Sequence, residues 1–178
     1  MDSDEINEAL TSNFRTAKIF RGIYAKNSTI PFTSFGPRYG IIINTAKSSS
    51  KGEHWLSIYK NVKTQNCVYF DSYGVNPFKD RTFSSILKGV CNTRSTGNNH
   101  SIFYSNKQLQ GFFTSVCGFY CVLFLWFMSQ EEENPKRFSF KSFLGLFDVL
   151  YTSHARDRYV CVKTKKIFPS LKYVRCGL

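Results

Sequence analysis

The stretch QGFFTSVCGFYCVLFLWFM, residues 110–128, decides the fold of this chain. From Val116 to Met128 it has thirteen uncharged, mostly apolar residues, and the next charged residue is Glu131. A membrane-spanning helix needs about 20 apolar residues, so this segment is too short to cross a bilayer. A helix of three or more turns that is apolar on every side belongs in the centre of a globular core. The stretch therefore predicts a buried central helix.

Cys117 lies at the start of this predicted helix, where the polar, glycine-containing lead-in from Gln110 ends. Unpaired N–H groups and the positive end of the helix dipole at such a position favour a thiolate. We therefore predict that Cys117 is a nucleophile. Cys121, one turn later, is interpreted as a small buried apolar residue.

Length and composition predict one domain, residues 1–178, with a core that needs no disulfides. Lys+Arg 24 against Asp+Glu 12 gives a net charge of +12, which favours binding to polyanions such as nucleic acid. The basic residues are spread out with no DNA- or RNA-binding signature, so a basic surface kept for solubility is the alternative. The first ten residues lack the basic and apolar parts of a secretory signal, and the six cysteines then indicate reduced thiols in an intracellular protein.

The pattern along the chain predicts an α+β fold, with a small, mainly antiparallel sheet packed on the central helix. An opening helix would bury one face, formed by Ile6, Ala9, Leu10 and Phe14. Strands are predicted at 41–44, 54–59, 67–71 and 101–105, further helices at 77–89 and 143–151, and a surface loop at 92–100. Residues 20–40 are expected to be loop with short extended pieces, and the basic segment 156–175 to be helical near its end.

A cysteine nucleophile needs a base, a group that orients the base, and donors for the oxyanion. His54, Asp71, Gln110 and Cys117 supply these groups in chain order. His54 begins one predicted strand and Asp71 ends the next, and these ends are neighbours in an antiparallel hairpin. The carboxylate can therefore hold the imidazole tautomer, as in a catalytic triad. The Gln110 side-chain amide can donate to an oxyanion alongside the Cys117 backbone N–H.

Each of these residues also has a purely structural interpretation. A histidine at a strand end is often half exposed, an aspartate before Ser-Tyr-Gly often forms a turn, and a loop glutamine is usually solvated. A metal site at Cys117 and Cys121 would need two more ligands, and neither His100 nor His154 has suitable partners nearby, so we predict no metal. A papain-like arrangement is excluded because the useful histidine precedes the cysteine.

Several motifs together resemble the adenovirus protease (adenain) family, within the wider group of SUMO- and ubiquitin-like-specific cysteine proteases. They are FRGIYAK at 20–26, INTA at 43–46, GEHW at 52–55, FDSYG at 70–74, and Gln110 with CGFYCVLFL at 117–125. The resemblance implies that His54 is the general base, Asp71 the orienting carboxylate, Gln110 the oxyanion-hole glutamine and Cys117 the nucleophile. Adenovirus enzymes commonly have Glu at the position of Asp71, and the SUMO-protease branch has Asp.

The resemblance also implies a function and a location. It implies a virus-encoded cysteine endopeptidase that cleaves viral capsid and core precursor proteins at Gly-containing sites during virion maturation. Such an enzyme would act in the virion and the host cell nucleus, stimulated by viral DNA through sequence-independent phosphate contacts. We expect a monomer with no membrane association and no metal or small-molecule cofactor.

Family members are also activated by a short viral peptide that is disulfide-linked to the protease. The linking cysteine of the family falls near Asn99 and His100 in this sequence, and neither position is a cysteine. Cys91 is the nearest thiol and therefore the candidate peptide-linking residue. A covalent peptide could also be absent or attached elsewhere.

Two other functions are kept open. The first is a deubiquitinase or SUMO-type protease that uses the same residues on a folded ubiquitin-like substrate, as Asp71 favours. The second is a non-catalytic, basic, nucleic-acid-binding virion protein without a reactive thiol at Cys117. A cleavage assay that compares ubiquitin-like fusions with short Gly-containing peptides separates these functions.

Overall fold

The computed structural model describes residues 1–49, 52–92 and 101–171. Its helices are α1 (Ser3–Ser12), α2 (Arg81–Asn92), α3 (Cys117–Met128), α4 (Phe140–Gly145) and α5 (Ser153–Ile167). Its strands are β1 (Phe20–Ala25), β2 (Arg38–Asn44), β3 (Trp55–Asn61), β4 (Asn66–Phe70) and β5 (Ser101–Tyr104). Short 3₁₀ turns occupy Phe32–Ser34 and Pro77–Lys79. The α+β prediction is confirmed.

The five described strands form one sheet in the order β1-β2-β3-β4-β5. The central strands β2, β3 and β4 pair antiparallel, as predicted, whereas β1 pairs parallel with β2 and β4 pairs parallel with β5. Parallel neighbours need a connection of about a dozen residues or more. Residues 26–37 supply it between β1 and β2, and the crossover that contains α2 supplies it between β4 and β5.

Helix α3 fills the core on one face of the sheet, as its uniformly apolar sequence predicts. Eleven of its twelve residues are buried, all except Trp126. Phe124 stacks on Phe70 of β4 with ring centroids 4.9 Å apart, and it meets the edge of Phe143 of α4 at 5.3 Å. Such aromatic pairs stabilise a core beyond the area that they bury. The arrangement fixes the N-terminus of α3 relative to the ends of β3 and β4.

Helix α2 covers the other face of the sheet. Successive residues of β2 belong to different cores, because side chains alternate across a strand: Ile42 packs with α3, and Ile41 and Ile43 pack with α2. The α2 side of this second core consists of Phe83, Leu87 and Val90. The sheet is therefore buried on both faces, and both ends of its central hairpin are held rigidly.

Buried Glu131, just after α3, fastens the far end of this helix to the β3–β4 hairpin. Its carboxylate accepts hydrogen bonds from the Tyr59 hydroxyl (2.7 Å), the Asn61 Nδ2 (2.8 Å) and the Asn66 Nδ2 (3.4 Å). Burial and the adjacent Glu131 raise the pKa of Tyr59, so the phenol stays a donor. Glu131, the first charged residue after the apolar run, therefore anchors the end of the central helix.

Several predicted boundaries of helices and strands are wrong in detail. Phe14 lies beyond α1 and is 64% exposed, while Ile6, Ala9 and Leu10 are buried as predicted. Residues 20–25 form a full strand rather than loop. Helix α2 begins at Arg81 because Asp80 Oδ1 accepts the Thr82 N–H at 2.8 Å and caps a new helix, so that Pro77–Lys79 is a separate turn.

The C-terminal third differs more from the predictions. The predicted helix at 143–151 is the short α4, which ends at Gly145, and Tyr151 is 91% exposed. The basic segment is helical at its start, in α5, and its end lies outside the described residues. Of the predicted loop at 92–100, Asn92 is the last residue of α2 and the rest lies outside the described residues. Cys161 is disulfide-bonded, so the expectation of six reduced thiols is wrong for this residue. Among the described residues, no helix is long and apolar enough to cross a membrane.

Candidate active site

His54 and Asp71 come together at one edge of the central hairpin, as predicted. His54 directly precedes β3 and Asp71 directly follows β4, and antiparallel pairing brings these two ends side by side. The His54 Nε2 and Asp71 Oδ1 lie 2.8 Å apart. The same carboxylate oxygen accepts the Tyr73 backbone N–H at 2.8 Å, which fixes the carboxylate in position. Asp71 is therefore placed to orient the imidazole.

Cys117 is the first residue of α3 and is 9% exposed. Because His54 uses Nε2 for Asp71, Nδ1 is the nitrogen left for the thiol. Nδ1 is buried and makes no full hydrogen bond within the described residues. Cys117 is nevertheless near enough to raise the pKa of His54. Hydrogen bonds between a catalytic base and its nucleophile are often long or poorly aligned before substrate binds.

The two groups stabilise each other in their charged forms. Burial lowers the pKa of His54, but the hydrogen bond to Asp71 and the nearby Cys117 outweigh it and raise that pKa to about 9. Burial raises the pKa of Cys117, but the proximity and charge of His54 and the Trp55 and Gly118 amides outweigh it, so the pKa is lowered. Both shifts favour the pair of imidazolium and thiolate, the form in which a cysteine is nucleophilic.

Gln110 lies on the loop into α3 and is fully buried, so it is not the solvated side chain of the structural interpretation. Its Oε1 accepts from the Ser72 hydroxyl at 2.8 Å, and its Nε2 donates to the Thr114 carbonyl and, at 3.2 Å, to the Tyr73 hydroxyl. A carbonyl only accepts hydrogen bonds, so the Thr114 contact identifies the amide nitrogen. Both Nε2 hydrogens therefore have partners without substrate.

Ser72 and Tyr73 belong to the site, although the sequence analysis gave them no role. The buried Ser72 joins the Asp71 turn to the Gln110 loop, because its carbonyl also accepts the Leu109 and Gln110 N–H groups. The Tyr73 ring packs on the His54 ring with centroids 4.6 Å apart. Their signal in the sequence is position alone, since both immediately follow Asp71 in FDSYG.

Gly74 closes this turn with a positive φ of 70°. A Cβ at this position would approach the Asn106 and Lys107 backbone to 2.8 Å. Glycine is the residue that tolerates this conformation and this approach. The DSYG sequence is thus required for the shape of the turn as well as for its contacts.

Cys121 and His154, which the sequence analysis considered as metal ligands, are not part of the His54–Cys117 pair. Cys121 is completely buried, and burial raises its pKa well above the ordinary value, which fits its interpretation as an apolar residue. His154 is exposed, and His100 lies outside the described residues. Within residues 1–49, 52–92 and 101–171, no three His, Cys, Asp or Glu side chains are grouped as a metal site would require.

Cys91 is half buried on α2, on the face of the sheet away from α3. A hydrogen bond with Cys67 lowers its pKa to about 7, and the ammonium group of the adjacent Lys60 acts in the same direction. Burial opposes this shift. Cys91 is thus a thiol of lowered pKa outside the Cys117 site.

A buried thiol at a helix N-terminus, an imidazole and a carboxylate bonded to that imidazole are the groups that thiol-dependent hydrolases use. Residues 20–153 match the adenovirus endoprotease family, and the chain belongs to that family. It is 26% identical over 99 residues to the protease of Human adenovirus A serotype 12, covering 53% of this chain and 48% of the relative. With the protease of Human adenovirus D serotype 9 it shares 29% over 102 residues, covering 53% and 47%. The chain spans about half the length of these relatives.

Solved structures with the same fold include one from a bacterium and one from a second virus. The chain aligns with ChlaDub1 from Chlamydia trachomatis with a TM-score of 0.57 and 15% identity, covering 97% of this chain and 94% of the other. With the ASFV pS273R protease the TM-score is 0.57 at 12% identity, covering 94% and 67%. At these identities the likeness concerns the fold alone.

Proposed function

We propose that this chain is a virus-encoded cysteine endopeptidase that cleaves viral capsid and core precursor proteins at Gly-containing sites during virion maturation. The observation that carries the proposal is the approach of Cys117 to an imidazole that Asp71 holds at 2.8 Å. Membership of the adenovirus endoprotease family supports the virion context, and hence action in the virion and the host cell nucleus.

The proposed reaction begins with attack of the Cys117 thiolate on the scissile carbonyl carbon. The carbonyl oxygen becomes an oxyanion, which the Cys117 backbone N–H and the Gln110 Nε2 stabilise. The His54 imidazolium gives its proton to the leaving amine nitrogen as the C–N bond breaks, and an acyl-enzyme remains. Water then attacks the thioester carbon while neutral His54 accepts its proton. The C–S bond breaks, and the acid product leaves the thiolate free.

Gln110 must change its hydrogen bonds to act in this way. Without substrate its Nε2 donates to the Thr114 carbonyl and the Tyr73 hydroxyl. One of these donors must turn, or be shared, when an oxyanion forms beside Cys117. Such tightening of catalytic hydrogen bonds in the substrate complex is common in enzymes.

The test is a cleavage assay on the full chain with two kinds of substrate, short Gly-containing peptides and ubiquitin-like fusions. We expect cleavage of short Gly-containing peptides, and covalent capture of a peptide vinyl sulfone at Cys117. A basic virion protein without catalysis would give neither result. Cleavage of neither substrate kind, together with an unreactive Cys117, would overturn the proposal.

A ubiquitin-like protease is the second candidate. Two observations favour it: Asp71, and the fold shared with Chlamydia trachomatis Cdu1, whose structure was solved bound to ubiquitin, at a TM-score of 0.56 and 16% identity. In the same assay, efficient release of a ubiquitin-like fusion with no cleavage of short peptides would identify this function.

Stimulation by viral DNA is a further part of the proposal, supported by the net charge of +12. Arg137 and Lys163 line one groove together with the aromatic side chains of Trp126, Phe138 and Tyr159. Cations combined with aromatic surface suit a polynucleotide bound without sequence preference. We assign this groove to the DNA contact.

We expect the double variant R137A/K163A to bind duplex DNA with a shallower salt dependence. Each lost phosphate contact removes about 0.9 from the slope of log K against log salt, so the slope falls by about 2. The control is K26A/K107A, which removes the same charge from lysines that are already paired with Asp80 and Asp148. Equal slopes in the two double variants would contradict the assignment.

Cys91 remains the proposed attachment point for an activating peptide. Its lowered pKa, about 7, favours the thiolate that disulfide exchange requires. With such a peptide bound, the enzyme is proposed to act as a monomer.

A further inference from the structure

Helix α5 holds the loop that carries Gln110 from both sides. On one side, the Arg156 Nε donates to the Leu109 carbonyl at 2.9 Å. On the other side, the Asp157 Oδ2 accepts the Gly111 N–H at 3.1 Å and the Thr114 hydroxyl at 2.8 Å. Two adjacent residues of one helix thus grip the residues immediately before and after Gln110.

The Asp157 carboxylate is buried, and both of its oxygens accept hydrogen bonds. Asp157 is 3% exposed, and its second oxygen, Oδ1, accepts the Tyr120 hydroxyl of α3 at 3.0 Å. Burial and the neighbouring Asp157 raise the pKa of Tyr120, which keeps the phenol protonated as a donor. Arg156 is tied in turn to the Leu150 carbonyl through Nη1 at 2.8 Å. A buried carboxylate with this many partners strongly resists displacement.

The loop is shaped to fit this grip. A Cβ at Gly111 would lie 3.1 Å from the Asp157 Oδ2, so glycine allows the backbone N–H to approach the carboxylate closely. Thr114 links Asp157 to Gln110: its hydroxyl donates to the Asp157 Oδ2, and its carbonyl accepts from the Gln110 Nε2. A displacement of Asp157 would therefore pass directly to the Gln110 amide.

We propose that Arg156 and Asp157 are positioning residues for the oxyanion site: they clamp residues 109–114 and so hold the Gln110 amide in the position from which it is proposed to act. The proposal rests on the proposed peptidase function, and neither residue touches the substrate. Both lie beyond residue 153, where the match to the adenovirus endoprotease family ends.

The test is Asp157→Asn, compared with wild type and with Glu131→Gln. The asparagine is neutral and has one acceptor oxygen, so the bonds from Gly111, Thr114 and Tyr120 cannot all keep their present directions. We expect kcat to fall about 10- to 100-fold with KM little changed, since misplacement of a group by about 1 Å costs about 100-fold. The rate at which iodoacetamide alkylates Cys117 should stay within twofold, because the His54–Cys117 pair is separate from the clamp.

Glu131→Gln is the matched control. Glu131 is equally buried, at 3% exposed, and it too accepts from a tyrosine hydroxyl and an N–H group, at the opposite end of α3. We expect this variant to lose thermal stability while kcat per folded molecule stays within twofold. If the two variants lower kcat alike, the effect is general destabilisation and the proposal is overturned.

A double-mutant cycle with Gln110→Ala tests whether the clamp acts through Gln110. Groups that act through one another have non-additive effects, so Asp157→Asn should cost little further once Gln110 is Ala. Full additivity of the two losses in kcat would overturn the proposal.

Hydrogen exchange gives a readout that does not depend on turnover. We expect Asp157→Asn to speed exchange of the Gly111 amide at least tenfold, with the amides in the middle of α3 unchanged. If the wild-type chain has no peptidase activity, the proposed function fails while exchange still reports on the clamp. Unchanged exchange at Gly111 would overturn the clamp itself.

Discussion

Cys117→Ala is expected to abolish peptidase activity, with a loss of about 10⁴-fold or more, and to leave the fold intact. The loss is large because the substitution removes the atom that forms the acyl-enzyme, for which no other described group substitutes. The fold should persist because α3 keeps its other buried residues and loses only one sulfur at its first position. Turnover of a Gly-containing peptide and a thermal melt, measured on the same preparation, check both parts.

Cys121→Ala is the control for this substitution. Cys121 lies on the same helix, is completely buried, and has a pKa raised by burial, so it contributes packing and no nucleophile. We expect it to lower stability by about 1 kcal/mol, as small cavities do, and to keep turnover. Activity retained in Cys117→Ala, or lost equally in both variants, would remove Cys117 from the mechanism.

Asp71→Asn is expected to lower kcat about 10²- to 10⁴-fold. If the asparagine oxygen replaces Oδ1, it still accepts from the Tyr73 N–H and His54, but the neutral amide stabilises the imidazolium much less than a carboxylate does. If the NH₂ group replaces Oδ1, it opposes the Tyr73 N–H and favours the wrong histidine tautomer. The His54 pKa should fall, since the hydrogen bond to Asp71 is the largest influence that raises it. Steady-state kinetics and the pH dependence of kcat/KM measure both effects.

Asp80→Asn provides the comparison for a lost carboxylate. Asp80 also follows a turn and accepts a backbone N–H at 2.8 Å, from Thr82, but it pairs with Lys26 instead of a histidine. Asparagine caps helices about as well as aspartate, so activity and stability should change little. Kinetics for Asp71→Asn that match those of Asp80→Asn would show that Asp71 does not orient His54.

The sequence predicted the elements whose physics is local. The uncharged run 116–128 admits only a buried helix, and the β3–β4 hairpin then brings His54 to Asp71 by pairing alone. Strand β1 was missed because Gly22 and the prolines that follow favour loop, whereas pairing with β2 decides its conformation. Phe14 was misassigned because helical periodicity does not reveal where a helix ends.

The support of the site could not be predicted in the same way. Asp157 reaches the Gln110 loop across 46 residues of sequence, and this contact depends on how α5 packs against α3. The Gln110 contacts with Ser72 and Thr114 likewise follow from tertiary packing rather than from a motif. Residues that perform chemistry were therefore recognisable by type and order, whereas residues that position them required coordinates.

The state of the Cys117 sulfur is the central claim, and the pH dependence of its alkylation tests it most directly. Iodoacetamide reacts with the thiolate, and mass spectrometry of the Cys117 peptide separates this residue from the other thiols. In wild type we expect the rate to reach half its maximum well below the ordinary cysteine pKa of about 8.5. In His54→Ala the midpoint should move above that value, because burial then acts on the thiol without the imidazolium. Midpoints at or above about 8.5 in both proteins would contradict an imidazolium–thiolate pair at neutral pH.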